Sequence, residues 1–149
     1  MYQCILIATD GSDLSRKAVT SGINLAALTG AQVVALKVVP RYPVSYFEGA
    51  LSTEMAAKEV AHVEQQWADN AQAVVEDVKA SAEAKGVKAT AVSMTSDLIA
   101  ESIIATAKKY NCDLIVMASH GRRGLKRLLL GSETMHVLTH SHIPVLVLR

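Results

Sequence analysis

Gln3-Cys4-Ile5-Leu6-Ile7-Ala8-Thr9-Asp10-Gly11-Ser12-Asp13 decides the fold class. The stretch opens with a short apolar run and breaks at Thr9 into a turn-rich segment, the pattern of a buried strand ending in a loop. Ser12 or Asp13 is placed to cap a following helix, whose apolar Leu14, Ala18, Ile23 and Ala26 share one side. Gly30 then supplies a left-handed stop. The first unit therefore reads strand, loop, helix.

The same cycle recurs along the chain. Gln32 to Val39 is nearly continuous in apolar residues and suits a strand buried on both faces, ended by Pro40 and Pro43. Residues 41–51 hold Tyr42, Tyr46 and Phe47 and read as a folded-over surface loop. Beyond Ser52 or Thr53 as cap, a long helix is expected to about Lys85, ended by Gly86. Its stripe Val60, Val63, Trp67, Ala71, Val74, Val78 and Ala82 is that of a core-facing helix, Trp67 included. Lys88 to Met94 predicts a third strand. Asp97 is placed to cap a helix carrying Ile99, Ile103, Ile104 and Ala107 inward. Asp113 to Ala118 predicts a fourth strand, Ser132 to Thr139 a short helix, and Val145 to Leu148 a fifth strand.

Strands alternating with helices imply an α/β fold, a parallel sheet with helices on both faces in an open three-layer sandwich. A chain of 149 residues, 50% of them hydrophobic, suits one domain spanning 1–149. In such sheets a ligand sits beyond the carboxyl ends of the strands, where strand order reverses. Three loops would meet there: Thr9 to Ser12, Val38 to Arg41, and Ser119 onward.

Composition narrows the function classes. No apolar run approaches the roughly 18 residues of a membrane span, and Met1-Tyr2-Gln3-Cys4 does not resemble a secretory leader, so a cytoplasmic protein is expected. A formal net charge of +1 gives no global attraction to nucleic acid, and no aromatic stacking platform accompanies the basic residues. Cys4 and Cys112 lie in apolar stretches without metal-ligand spacing and read as reduced core residues, not as a disulfide.

The densest chemical signal is Ala118-Ser119-His120-Gly121-Arg122-Arg123-Gly124-Leu125-Lys126-Arg127-Leu128-Leu129-Leu130-Gly131-Ser132. It leaves a strand end and arrives at a helix start. Gly121 and Gly131 allow backbone N–H groups to approach an anion, and the helix that follows Gly131 turns its free N–H groups and dipole toward negative charge. Arg122, Arg123, Lys126 and Arg127 add cationic donors. Phosphate is the expected guest.

These residues resemble the universal stress protein family. Its nucleotide-binding branch carries glycine, two residues, glycine, nine residues, glycine and then serine or threonine. Gly121, the nine residues from Arg122 to Leu130, Gly131 and Ser132 follow that pattern, while Ala118 stands at the first glycine. Thr9-Asp10-Gly11-Ser12 is similar to the family's acidic loop at the ribose, and Val38 to the position whose backbone meets adenine. Ile143-Pro144-Val145-Leu146-Val147-Leu148 is similar to its last strand. The resemblance implies a Rossmann-like, adenine nucleotide alpha hydrolase-like sheet of order 3-2-1-4-5. It further implies a site for ATP, AMP or ADP drawn from Ala8, Thr9, Asp10, Val38, Met117, Ala118, His120, Gly121, Arg122, Arg123, Gly131, Ser132, Glu133 and Thr134. The Ala118 methyl is expected to intrude there and weaken binding.

Among these residues His120 is given a positioning role, because no carboxylate or nucleophile accompanies it in the sequence. Asp10 is read either as a ligand for Mg²⁺ against the phosphates or as a loop-capping aspartate. His136 and His140 share a helix face without an adjacent carboxylate or cysteine in sequence, and are read as ordinary histidines. The apolar strand 143–148 carries only Arg149 to discourage pairing, and predicts a homodimer through antiparallel fifth strands. Three functions follow: a nucleotide-occupied regulator, a slow ATPase, or a nucleotide-free dimeric scaffold.

Overall fold

The computed structural model describes residues 1–43, 53–120 and 130–149. Five strands, β1 (Cys4–Ala8), β2 (Gln32–Val39), β3 (Ala89–Thr95), β4 (Leu114–Ala118) and β5 (Val145–Leu148), form one sheet of order β3-β2-β1-β4-β5. All four pairings are parallel, with Ile5 opposite both Val33 and Leu114, Leu36 opposite Val92, and Ala118 opposite Leu148. Four helices, α1 (Asp13–Thr29), α2 (Thr53–Glu83), α3 (Ile99–Lys109) and α4 (Ser132–His140), connect them. The α/β class, the parallel sheet and its order are those expected. The strand order reverses between β1 and β4, which places the switch point at their carboxyl ends.

Alternation along the strands builds two cores. Ile5, Ile7, Val33, Ala35 and Val116 point to the face covered by α1 and α2, against Ala18, Ile23, Val75, Val78 and Ala82. Leu6, Val34, Leu36, Ile115 and Met117 point to the face of α3 and α4, against Ile103, Ala107 and Val137. Burial on both faces is why β1 and β2 read as unbroken apolar runs rather than alternating ones. At Gly22 a methyl would stand 2.7 Å from Ile7 Cδ1, so this glycine lets α1 lie directly on β1.

Helix boundaries follow local chemistry where the caps are local. Ser12 caps α1, its Oγ accepting from Ser15 N, and Gly30 closes it at φ 73° with its N–H on Ala26 O. Gly86, at φ 74°, follows α2.

Two expectations are corrected. Asp97 does not cap α3: the N-cap is Leu98, with no side-chain cap bond, and Asp97 Oδ1 instead accepts from Arg41 N at 2.9 Å, tying the end of β2 to the end of β3. The α3 amino end is served from across the fold, where Glu133 Oε2 accepts from Ala100 N at 3.1 Å. Trp67 is half-buried, not core, and sits beside Tyr42 with ring centroids 5.4 Å apart. The buried stripe of α2 is instead Ala71, Val75, Val78 and Ala82.

Candidate nucleotide site

The carboxyl ends of β1 and β4 bring two segments together: the Thr9–Ser12 loop, and the Ser119–His120 exit with the start of α4. Both offer backbone N–H groups, but they differ in what those groups already do.

The β1 loop satisfies itself. Gly11 N donates to Thr9 Oγ1 at 3.1 Å, Ser12 N to Asp10 Oδ1 at 2.8 Å, and Ser15 N to Ser12 Oγ at 3.3 Å. Thr9 Oγ1 also meets Ser15 Oγ at 3.0 Å, and Thr9 N is held by Leu36 O at 2.9 Å. Gly11, at φ 81°, makes this turn possible. Asp10 thus performs the loop-capping role through Oδ1, and the amides of Thr9, Gly11 and Ser12 already have acceptors.

The start of α4 is different. Gly131 is the N-cap, extended at φ −61° and ψ 152°, and has no side chain to return a hydrogen bond. Gly131 N is bound to Ser119 O at 2.7 Å and Met135 N to Gly131 O at 3.0 Å. Among the described residues, the N–H groups of Ser132, Glu133 and Thr134 between them have no acceptor. These are the orphan donors of a helix N-terminus, which favour an anion. Glu133, the acidic residue of this first turn, has its carboxylate directed to Ala100 N and so does not fill the seat itself.

The seat is fixed to the sheet by buried hydrogen bonds. Thr134 Oγ1 donates to Ala118 O at 2.9 Å, with Thr134 only 3% exposed. Ser119 N donates to Leu148 O at 2.7 Å, and Ser119 Oγ meets His120 Nδ1 at 3.1 Å, which orients the imidazole. Met117 is core on the α3–α4 side. The Ala118 methyl belongs to the buried cluster of the α1–α2 side. Ala118 is 7% exposed at the strand end. Ala8 ends β1 beside them, and Val38 lies near the end of β2, half-buried opposite Met94. Gly121, Arg122, Arg123, Lys126 and Arg127 lie outside the described residues.

Sequence reasoning missed Lys37. It is 6% exposed on β2, its Nζ donates to Asn70 Oδ1 at 3.0 Å, and it lies close to the Gly11 turn. A single lysine inside an otherwise apolar strand was the available signal. The histidine pair also gains a neighbour invisible in sequence, since Glu101 Oε1 stands 3.1 Å from His136 Nε2, while the His136 and His140 ring centroids are 4.4 Å apart. Among the described residues no group of three or more His, Cys, Asp or Glu is arranged to hold a metal ion. Nor is any described helix long and apolar enough to cross a membrane.

Comparison with known proteins places this geometry. The family model described as "Universal stress protein family" matches residues 1–149. Universal stress protein MJ0531 of Methanocaldococcus jannaschii is 36% identical over 149 residues, covering 100% of this chain and 83% of its own length. Universal stress protein YxiE of Bacillus subtilis is 30% identical over 157 residues, covering 100% of both. The solved structure of MJ0577, from Methanocaldococcus jannaschii, superposes with a TM-score of 0.82 at 27% identity, over 99% of this chain and 96% of that one. A match over the full length, joined to relatives at this identity, shows that the chain belongs to the universal stress protein family.

Proposed function

We propose that this chain binds an adenine nucleotide at the β1–β4 switch point and acts as a nucleotide-dependent regulator in the stress response, its output set by occupancy. The observation that carries the reading is the uncapped start of α4. Among the described residues, three consecutive N–H groups without acceptors stand at the start of α4, beside a loop in which the amides of Thr9, Gly11 and Ser12 are already bound. An oxyanion is the natural acceptor there, and a phosphate supplies several oxygens at once. The basic segment 121–129 adds charge of the right sign in sequence. Two structural neighbours support the base, since one universal stress protein was solved in complex with cAMP and another, from Archaeoglobus fulgidus, in complex with dAMP.

In this reading the α4 amides of Ser132, Glu133 and Thr134 hold a phosphate, assisted by Arg122 and Arg123. Thr9 and Asp10 wall the ribose side, and a Mg²⁺ ion carried by the nucleotide would meet Asp10. The Val38 backbone meets the base, and His120, tied to Ser119, positions the phosphates. ATP is the favoured ligand, with AMP or ADP as relatives. The protein is proposed to work in the cytoplasm as a homodimer joined through the edge strand β5, where Leu146 is 39% exposed. Leu146→Glu is expected to give a monomer by equilibrium sedimentation, and an unchanged dimer would remove this interface.

Calorimetric titration of ATP with Mg²⁺ into nucleotide-stripped protein tests the site. Binding in the micromolar range is expected for the native chain, loss of binding for Gly131→Val, which places a side chain at the seat, and a change within about threefold for Ala118→Gly. Absence of heat from the native chain and from the Ala118→Gly variant overturns the nucleotide reading and leaves the dimeric scaffold. Recovery of ADP from incubated ATP would instead favour the slow ATPase.

A further inference from the structure

At the opposite end of the same two strands lies a pair of groups that nucleotide binding does not use. Cys4 opens β1 and Cys112 precedes β4, and their Sγ atoms are 3.0 Å apart although the residues are separated by 108 positions. Both are free thiols, 2% and 5% exposed, in the core under α3.

The backbone holds them in place. Asp113 N donates to Cys4 O at 2.9 Å, and Asp113 Oδ1 accepts from Cys4 N at 3.1 Å. Asp113 Oδ2 accepts from Gln3 N at 2.9 Å. Cys112 N is bound to Ala107 O at 2.8 Å, just beyond the turn at Asn111, whose φ is 54°. A single residue thus clamps the two strand ends and fixes the sulfurs against each other. A disulfide has its sulfurs about 2.05 Å apart, so closure asks for a movement of about 1 Å, within reach of small side-chain rotations.

We infer that Cys4 and Cys112 form an oxidisable dithiol, a modification site that closes to an intrachain disulfide when a hydroperoxide enters the core. The step balances with the peroxide as the only oxidant. One thiolate attacks a peroxide oxygen, the O–O bond breaks, and hydroxide takes up a proton to leave as water, giving a sulfenic acid. The second sulfur attacks the first, the S–O bond breaks, and the hydroxyl departs with the second thiol's proton as another water. Two thiols and one hydrogen peroxide give one disulfide and two waters, the peroxide taking two electrons.

Burial raises the Cys4 thiol above its ordinary value, and the contact with Cys112 partly offsets this. Burial, with the contact to Cys4, raises the Cys112 thiol as well. Thiolate is therefore scarce at neutral pH, and oxidation is slow there, accelerating about tenfold per pH unit. A small peroxide is a better oxidant for this site than a bulky disulfide, because the sulfurs are covered.

The test uses the full chain, reduced and then treated with hydrogen peroxide at pH 7 and pH 8. Intact mass is expected to fall by two hydrogens, faster at pH 8. Peptide mapping without reductant is expected to show residues 4 and 112 joined, with dithiothreitol restoring both thiols. Because the bond closes a very long loop, the oxidised chain is expected to melt about 10 °C higher than the reduced one. In Cys112→Ser, dimedone is expected to trap a sulfenic acid at Cys4. Two alkylatable thiols after treatment, separate sulfinic acids, or a disulfide between two chains would each overturn the inference. The mapping of the native chain decides the matter even where the serine variant folds poorly.

Discussion

Replacing Thr134 by valine tests how the anion seat is held. The two side chains have nearly the same shape and similar helix propensities, so packing and secondary structure change little. What is lost is one hydroxyl, 3% exposed in Thr134, that donates to Ala118 O at 2.9 Å. A neutral hydrogen bond contributes about 1 kcal/mol net, and a buried carbonyl left short of a partner adds desolvation on top. Together they give a loss of about 1–2 kcal/mol, and a melting temperature lower by about 3–6 °C for a chain of this size. Urea unfolding followed by far-UV circular dichroism is expected to show the midpoint falling with an unchanged slope. Thr134→Ser, which keeps the hydroxyl, serves as the control and is expected to retain the hydrogen-bond contribution. A Thr134→Val chain within about 0.3 kcal/mol of native would refute the assignment of this hydroxyl as the anchor of α4 on β4.

Other consequences follow from the same contacts. Gly22→Ala gains about 1 kcal/mol of helix propensity but sets a methyl 2.7 Å from Ile7 Cδ1, whose residue is fully buried; overpacking is expected to win, and a thermal melt should show a less stable protein. Glu133→Ala removes the acceptor for Ala100 N, and is expected to cost about 1 kcal/mol in denaturant unfolding, a loss that Asp97→Ala would not reproduce by uncapping α3. The buried thiols hold their protons in the folded chain beyond their ordinary value of 9.0, so above that pH the unfolded state binds fewer protons. Under reducing conditions stability is therefore expected to fall as pH rises above about 9, at up to about 1.4 kcal/mol per pH unit for one thiol, and Cys112→Ala is expected to flatten that fall.

The sequence was legible where the determining signal is local. The unbroken apolar run from Val33 to Leu36 reports burial on both faces of one strand, and Gly30 and Gly86 mark helix ends because each adopts positive φ. It misled where the partner is distant. Asp97 sits at a position suited to a cap, yet the Arg41 amide claims its carboxylate and Glu133 reaches across from another helix to serve α3. The candidate site divides the same way. The start of α4 at Ser132 follows from a glycine before a helix, whereas the anchoring of Thr134 to Ala118, the buried Lys37 beside the Gly11 turn and the contact of Cys4 with Cys112 arise only when strands meet.

The most direct test is a titration of ATP with Mg²⁺ into ¹⁵N-labelled protein, followed by amide chemical shifts. The largest shifts are expected at the amides of Ser132, Glu133 and Thr134, with smaller ones along Thr9 to Ser12 and none at the Cys4–Cys112 end of the sheet. Shifts absent from the start of α4, with binding seen elsewhere or nowhere, would contradict the proposed site.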